Sequence, residues 1–180
     1  MTTTPAGTAP DIAAIPPDDP DRRLALADPA DPTLRTLSLA GGIYTILLTG
    51  AETGGRYCLI DMLVPPGGGP PRHRHDFEEM FTVLEGEITL TFRGETYQAG
   101  AGSTVNVPAN APHAFKNHSG KQAHLLCMCT PPGQDLYFMA VGDPIGSRSA
   151  PPPTLSDAEK AERGAQAKAL AAQFRTEFLA

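Results

Sequence analysis

The amino-acid sequence predicts an all-β fold, and three observations support this prediction. Short apolar or alternating runs recur from Leu34 onward, and turn residues, many of them glycine, separate these runs. Runs with this spacing are typical of an antiparallel barrel or sandwich. The 180 residues of the chain are enough for one domain with a sizeable core. We therefore expect a single all-β domain with shorter appendages.

The apolar runs predict six strands, at residues 43–48, 57–64, 80–84, 87–92, 103–107 and 123–130. Hairpin turns are expected at Glu85-Gly86, Arg93-Gly94 and Ser119-Gly120, because glycine supplies the positive φ that tight turns need. The stretch 65–71, Pro-Pro-Gly-Gly-Gly-Pro-Pro, is predicted to be a loop. It lacks the Gly-Lys-Ser/Thr ending of a phosphate-binding loop, so its glycines indicate flexibility or close backbone approach.

The two ends of the chain differ in composition from the predicted barrel at residues 34–145. Residues 1–33 are rich in Pro, Ala, Asp and Thr without a sustained hydrophobic period, so we expect a mobile arm or one that lies over the barrel. Residues 146–180 are expected to form a linker and a C-terminal helix, which Ser156 and Glu159 start as a capping box. One apolar stripe on this helix is expected to pack on the barrel or a partner subunit. The stripe comprises Ala167, Leu170, Ala171, Phe174 and Phe178.

Composition argues against several kinds of partner. The net charge is -6, and the 14 basic residues form no run that would neutralise phosphates, so nucleic acid is not expected. No apolar stretch approaches the ~20 residues of a membrane span, and no secretory signal is apparent, so we expect a cytoplasmic protein without membrane contact. Cys58, Cys127 and Cys129 are expected to be reduced, buried thiols, because the last two would point the same way along one strand.

Three histidines and one glutamate have the spacing of a metal site. His73 and His75 lie two residues apart, so in a strand both imidazoles project from the same face. Glu79 follows after a short turn, and His113 lies in a second cluster. Three imidazoles and one carboxylate suit one divalent transition metal ion, such as iron, nickel, cobalt, manganese or zinc.

These residues resemble the two signature motifs of the cupin superfamily. Asn110 stands where glycine is usual in the second motif, and we expect it to keep the turn because Asn tolerates a left-handed conformation. The resemblance implies a double-stranded β-helix, or jelly-roll barrel, in which His73, His75, Glu79 and His113 hold the metal. The first motif consists of Gly67, His73, His75, Glu79 and Gly86, and the second of Gly102, Pro108, His113 and Asn117.

The chain from Leu37 to Leu179 is similar to the small, single-domain, quercetin-dioxygenase-like cupins. The similarity includes the stretch Thr-Pro-Pro-Gly-Gln-Asp-Leu-Tyr-Phe at 130–138. It implies an oxidoreductase that opens the ring of a flavonol oxidatively, with Glu79 accepting the proton of the substrate hydroxyl. Apolar residues near the motifs favour a small aromatic or enolic substrate. They are Phe77, Phe81 and Phe115.

Two alternatives of other classes stay open. One is a non-enzymatic module in which the metal only clamps a small ligand, and the other is a metal-dependent isomerase or lyase acting on a sugar or keto acid. His118 and His124 are expected to be structural rather than functional. A homodimer is expected, since barrels of this type resemble proteins that pair through sheet edges, and open edge strands need to be covered.

Overall fold

The computed structural model describes residues 15–180, so residues 1–14 of the predicted arm lie outside it. Residues 15–35 contain turns and extended chain but neither helix nor strand. In this segment the guanidinium of Arg22 donates a hydrogen bond to the carbonyl of Glu52. Among the residues described, no helix is long and apolar enough to cross a membrane.

From Thr36 onward the chain forms short strands and two α-helices. The helices are α1 (Gln134–Val141) and α2 (Asp157–Ala171), and a 3-10 turn (Ala172–Phe174) follows α2. The strands are β1 (Thr36–Leu39), β2 (Gly42–Leu48), β3 (Cys58–Val64), β4 (His73–His75), β5 (Glu78–Glu85), β6 (Glu87–Phe92), β7 (Glu95–Gly100), β8 (Thr104–Val107), β9 (His113–Lys116), β10 (Ala123–Thr130), β11 (Asp143–Ile145) and β12 (Thr176–Phe178).

The strands form two antiparallel sheets, which confirms the predicted all-β jelly roll. One sheet has the order β11-β1-β2-β3-β10-β5-β8, and the other has the order β12-β4-β9-β6-β7. Alternate residues of each strand face the core, so that on β10 Leu125 and Cys127 are buried while their neighbours are partly exposed. The two sheets meet in the core where the ring of Phe81 on β5 contacts that of Phe115 on β9, with centroids 5.2 Å apart.

Of the three predicted hairpins, only the one at Arg93-Gly94 is confirmed. Both residues have positive φ, as a two-residue turn of type I′ requires, and β6 pairs with β7. The predictions at Glu85-Gly86 and Ser119-Gly120 are wrong. At each of these positions the chain passes from one sheet to the other, because β5 and β10 belong to the larger sheet and β6 and β9 to the smaller. Turn residues mark a change of direction but do not identify the partner strand.

The C-terminal helix begins as predicted and ends earlier than predicted. Ser156 and Glu159 form the capping box. The helix ends at Ala171, and the left-handed residue Arg175 turns the chain into β12, which pairs with β4. The predicted helical stripe is therefore wrong for its last two residues. Phe174 lies in the 3-10 turn, and Phe178 lies on strand β12. Pairing with the edge of β4 outweighs the helical spacing of the apolar residues.

Candidate metal centre

The fold brings the four predicted ligand residues together in the interior. His73 and His75 lie at the two ends of β4, and both side chains point inward while Arg74 between them is exposed. Glu79 lies on β5, and His113 lies on β9 directly opposite His73. All four are buried, and one ligand atom from each lies within 4.8 Å of the others. Strand β4 thus contributes two of the four residues of this cluster, and β5 and β9 contribute one each.

Each imidazole is oriented by a backbone carbonyl two residues away. The Nδ1–H group of each ring donates to that carbonyl, which turns the Nε2 atom toward the centre of the cluster. The carbonyls are those of Pro71 for His73 at 3.0 Å, Phe77 for His75 at 2.9 Å and Ala111 for His113 at 2.9 Å. The ring of His75 also stacks on Phe77, with centroids 3.9 Å apart and planes 2° from parallel. These contacts prearrange the three rings.

Glu79 faces two histidines with one oxygen and two thiols with the other. Its Oε2 lies 3.1 Å from the Nε2 atoms of both His75 and His113. Its Oε1 lies 3.5 Å from the Sγ of Cys127 and 4.0 Å from that of Cys129. Burial alone would raise the pKa of Glu79, but the hydrogen bonds and charge of the two histidines outweigh it and lower that pKa. Glu79 is therefore an anion at neutral pH.

Burial and the charge of Glu79 act on the histidines in opposite directions. Burial lowers the pKa of His73 to about 4 despite the attraction of Glu79, so this imidazole is neutral at pH 7. Burial also acts to lower the pKa of His113, but the hydrogen bond and charge of Glu79 raise it overall. Neutral imidazoles and an ionised carboxylate are the forms that bind metal ions.

The donor set fits a divalent transition metal ion. Neutral nitrogens combined with one carboxylate suit a borderline first-row ion. The 3.1 Å between Oε2 of Glu79 and each of the two Nε2 atoms is close to the ~3.0 Å that separates neighbouring ligands at right angles around an ion with ~2.1 Å bonds. These two distances match neighbouring metal ligands, and the cluster as a whole has the composition of a metal site.

The three cysteines are free and buried, as predicted from the sequence. The sequence did not indicate that Cys127 and Cys129 lie beside Glu79. Contact with Cys129 acts to lower the pKa of Cys127, but burial and the charge of Glu79 raise it to about 12. Cys127 is therefore a neutral thiol at pH 7 and adds no charge to the cluster.

Two other motif residues have structural roles. Asn110 adopts the left-handed conformation expected of it, with φ 66°, and its N–H donates to the carbonyl of His75 at 2.6 Å. The side-chain amide of buried Asn117 donates to the carbonyls of Val64 and Lys121 at 2.9 and 2.8 Å. Both residues fix the turns that hold β4 and β9 in position.

His118 and His124 lie outside the cluster. His118 is exposed in the connection between β9 and β10. His124 is on the outer side of β10, where its Nε2 contacts the carboxylate of Asp61. Arg148 donates to the same carboxylate at 2.7 Å and ties the segment after β11 to this face. These contacts agree with the structural role predicted for His124.

A cavity of about 530 Å³ lies beside the cluster, and His73 and Glu79 line part of it. Its walls are mainly apolar and aromatic, which suits a small aromatic ligand. Phe77, expected from the sequence to lie near the substrate, packs on His75 instead and does not line the cavity. Residues of α1 and β12 also line the cavity, and no local sequence pattern predicted that they would. Lining residues include Tyr44, Met62, Phe81, Phe115, Phe138 and Phe178.

Residues 60–129 match the Cupin domain family. The chain is 30% identical over 131 residues to quercetin 2,3-dioxygenase of Bacillus subtilis (strain 168), and this match covers 72% of the chain and 38% of that protein. The polyketide cyclase RemF from Streptomyces resistomycificus has a similar structure, with TM-score 0.54, 20% identity and coverage of 77% of this chain and 91% of that one. An RmlC-like cupin from Shewanella frigidimarina NCIMB 400 has TM-score 0.51 and 17% identity, covering 59% of this chain and 91% of that one.

The motifs, the fold and the match of residues 60–129 together show that the chain contains a cupin domain. The chain resembles the single-domain, quercetinase-like cupins. The chain spans less than two thirds of the length of each of the first curated relatives, at 38%, 64% and 32%.

Proposed function

We propose that the protein is a metal-dependent dioxygenase that acts on a small aromatic or enolic substrate of the flavonol type. One observation carries this proposal: a cluster of three histidines and one glutamate opens onto a cavity with aromatic walls. The likeness to the quercetin 2,3-dioxygenase of Bacillus subtilis supports it. His73, His75, Glu79 and His113 would hold the metal ion in this proposal.

Glu79 has the central chemical role in this proposal. It is the only carboxylate in the cluster and is ionised, so it is the nearest base to a substrate hydroxyl that enters from the cavity. A bound divalent ion supplies positive charge, which acidifies such a hydroxyl and favours its anion. Glu79 accepts that proton, and the buried thiols beside its other oxygen limit access of water to the carboxylate.

The cavity walls orient the substrate. Phe81 and Phe115 present an edge-to-face pair next to the cluster, and an aromatic ring packs well against such a surface. The cationic residues that border the cavity lie on α2 and not on the barrel strands. One of them, Arg163, is paired with Asp143 at 2.9 Å. An apolar interior with few free charges favours an aromatic substrate over a sugar.

The decisive experiment combines metal analysis with an oxygen-uptake screen. Protein purified without affinity-tag nickel is analysed for its metals and then tested with flavonols, catechols and enediones. Oxygen consumption with an aromatic or enolic compound, at a rate that follows metal content, supports the dioxygenase. Metal-dependent binding without oxygen consumption would instead favour the ligand-clamping module. Turnover of a sugar or keto acid without oxygen would favour the isomerase or lyase.

We also propose that the protein is a cytoplasmic homodimer. The outer side of the seven-stranded sheet carries apolar side chains that are only partly buried, including Met80, Leu126 and Met128. Met80 and Met128 face each other across β5 and β10, so these side chains form a continuous apolar strip. A second copy covering this strip would bury it from water. The free cysteines are in keeping with a reducing compartment.

A further inference from the structure

Two thiols lie beside the oxygen of Glu79 that does not face the histidines. Cys127 and Cys129 are two residues apart on β10, so both side chains project into the core from the same face of the strand. Glu79 lies directly opposite Cys129 on the neighbouring strand β5. The pairing of β5 with β10 therefore brings one carboxylate oxygen and two sulfur atoms together in the interior.

These three atoms have the spacing of ligands around one ion. The Sγ atoms of Cys127 and Cys129 are 3.8 Å apart, and Oε1 of Glu79 lies 3.5 Å from the first and 4.0 Å from the second. The point equidistant from three atoms at these separations is about 2.2 Å from each of them. Bonds from a metal ion to sulfur are ~2.3 Å long, and those to a carboxylate oxygen are ~2.0–2.2 Å long. An ion at this point would have three ligands at ordinary bond lengths.

The two sulfur donors select a soft ion. Thiolates bind Cu(I) in preference to harder ions such as Mn(II), which favour oxygen ligands. Cys127 is a neutral thiol at pH 7 in the free protein, so an ion that binds here must displace the thiol protons. Coordination deprotonates a thiol, and the two protons leave to solvent without any transfer of electrons. The bonds to sulfur must therefore be strong, as they are for Cu(I).

The charge of the buried cluster also favours a monovalent ion. With a divalent ion at the three histidines and Glu79 ionised, the cluster carries one positive charge. Two thiolates and one Cu(I) ion together add one negative charge, so the cluster with both ions is neutral. A divalent ion between the thiolates would instead leave the positive charge in place. A neutral cluster avoids the cost of a net charge in the interior.

We propose that Cys127, Cys129 and Oε1 of Glu79 form a second metal site, which binds Cu(I) beside the divalent ion of the histidine cluster. Glu79 bridges the two ions, with one ion at each carboxylate oxygen. Glu79 lines the cavity and contacts both thiols, so an ion enters this site from the cavity past Glu79. Cys58 is not a ligand, because its sulfur does not lie within 4.8 Å of all three donors. The site does not depend on the proposed dioxygenase activity.

The first test titrates the Mn(II)-loaded protein with Cu(I), without oxygen and in competition with a chromophoric Cu(I) chelator. The wild type should bind one Cu(I) ion per chain and keep its Mn(II). Cys127→Ala and Cys129→Ala should each weaken Cu(I) binding at least ~10-fold, because each removes a direct ligand, and both should keep Mn(II). Cys58→Ala is the matched control, since it removes a buried thiol from the adjacent strand, and it should bind Cu(I) as the wild type does.

The second test needs no variant. X-ray absorption at the copper edge of the loaded wild type should show two sulfur neighbours at roughly 2.2–2.3 Å. Nitrogen neighbours alone would place the copper at the histidines and overturn the second site. So would displacement of Mn(II) by Cu(I) one for one, or unchanged Cu(I) affinity in Cys127→Ala. If Mn(II) does not bind but Cu(I) binds through the two cysteines, the thiolate site stands and the divalent centre of the proposed function is contradicted.

Discussion

Replacement of Gly69 by alanine tests how the proline- and glycine-rich loop supports the metal cluster. A Cβ atom at Gly69 would lie 2.1 Å from the carbonyl oxygen of Phe115 and 2.9 Å from its carbonyl carbon. Both are backbone atoms of β9, the strand that carries His113. No rotation of a side chain can relieve this contact. The loop must therefore move away from β9.

Gly67 in the same loop is the matched control. Both glycines have positive φ, +74° at Gly67 and +126° at Gly69, but a Cβ at Gly67 meets nothing within 4 Å. Alanine at Gly67 should cost about 1–2 kcal/mol for the backbone conformation alone. Alanine at Gly69 carries a similar strain and also disturbs the backbone hydrogen bonds that join Gly67 and Gly68 to Asn117, at 2.7 and 3.0 Å. With about 0.5–1.5 kcal/mol for each bond, the total is about 2–5 kcal/mol.

The comparison is made by urea denaturation and by metal titration. Gly69→Ala should lower the free energy of unfolding by more than Gly67→Ala does. It should also weaken metal binding, since the loop continues into Pro71, whose carbonyl orients His73 at 3.0 Å. Equal stability and equal metal affinity of the two variants would refute the close approach of loop and strand on which this reasoning depends.

Three further predictions concern the cluster and the assembly. His75→Ala and His113→Ala should each weaken metal binding at least ~10-fold, because each removes a direct ligand and even the loss of a residue that only contacts a ligand costs ~10–100-fold. His118→Ala should retain the metal, and equal metal content by elemental analysis in all variants would contradict the site. Glu79→Gln should keep part of the metal and lose ~10²–10⁴ in turnover, because the amide cannot accept a proton; full activity would leave Glu79 as a ligand only. Sedimentation at micromolar concentration should give a dimer, and a monomer would rule out the proposed assembly.

Local patterns account for what the sequence predicted well. The alternation along 87–92 and 123–130 is a property of single strands, and β6 and β10 have these bounds. The spacing of His73 and His75 also depends on one strand alone. His113 was linked to them only by its resemblance to a motif, because no local pattern shows which distant strand lies opposite β4.

The elements that were missed depend on contacts between distant parts of the chain. β11 and β12 are three residues each and form only because they pair with the edges of β1 and β4. Phe178 has helical spacing from the residues of α2, yet edge pairing decides its conformation. Helix α1 is short and follows a turn-rich stretch, so its sequence has no long amphipathic period.

The proposed metal ligands and part of the cavity wall come from different segments of this chain. The part that matches the Cupin domain, residues 60–129, contains all four proposed ligands. Phe138, Phe178 and Gln134 close the cavity from outside that part. Because Phe138 and Gln134 touch the cavity from α1, which carries none of the proposed ligands, their size and polarity can change without loss of the cluster. If the proposed function holds, substitutions on α1 should change ligand preference more than they change metal binding.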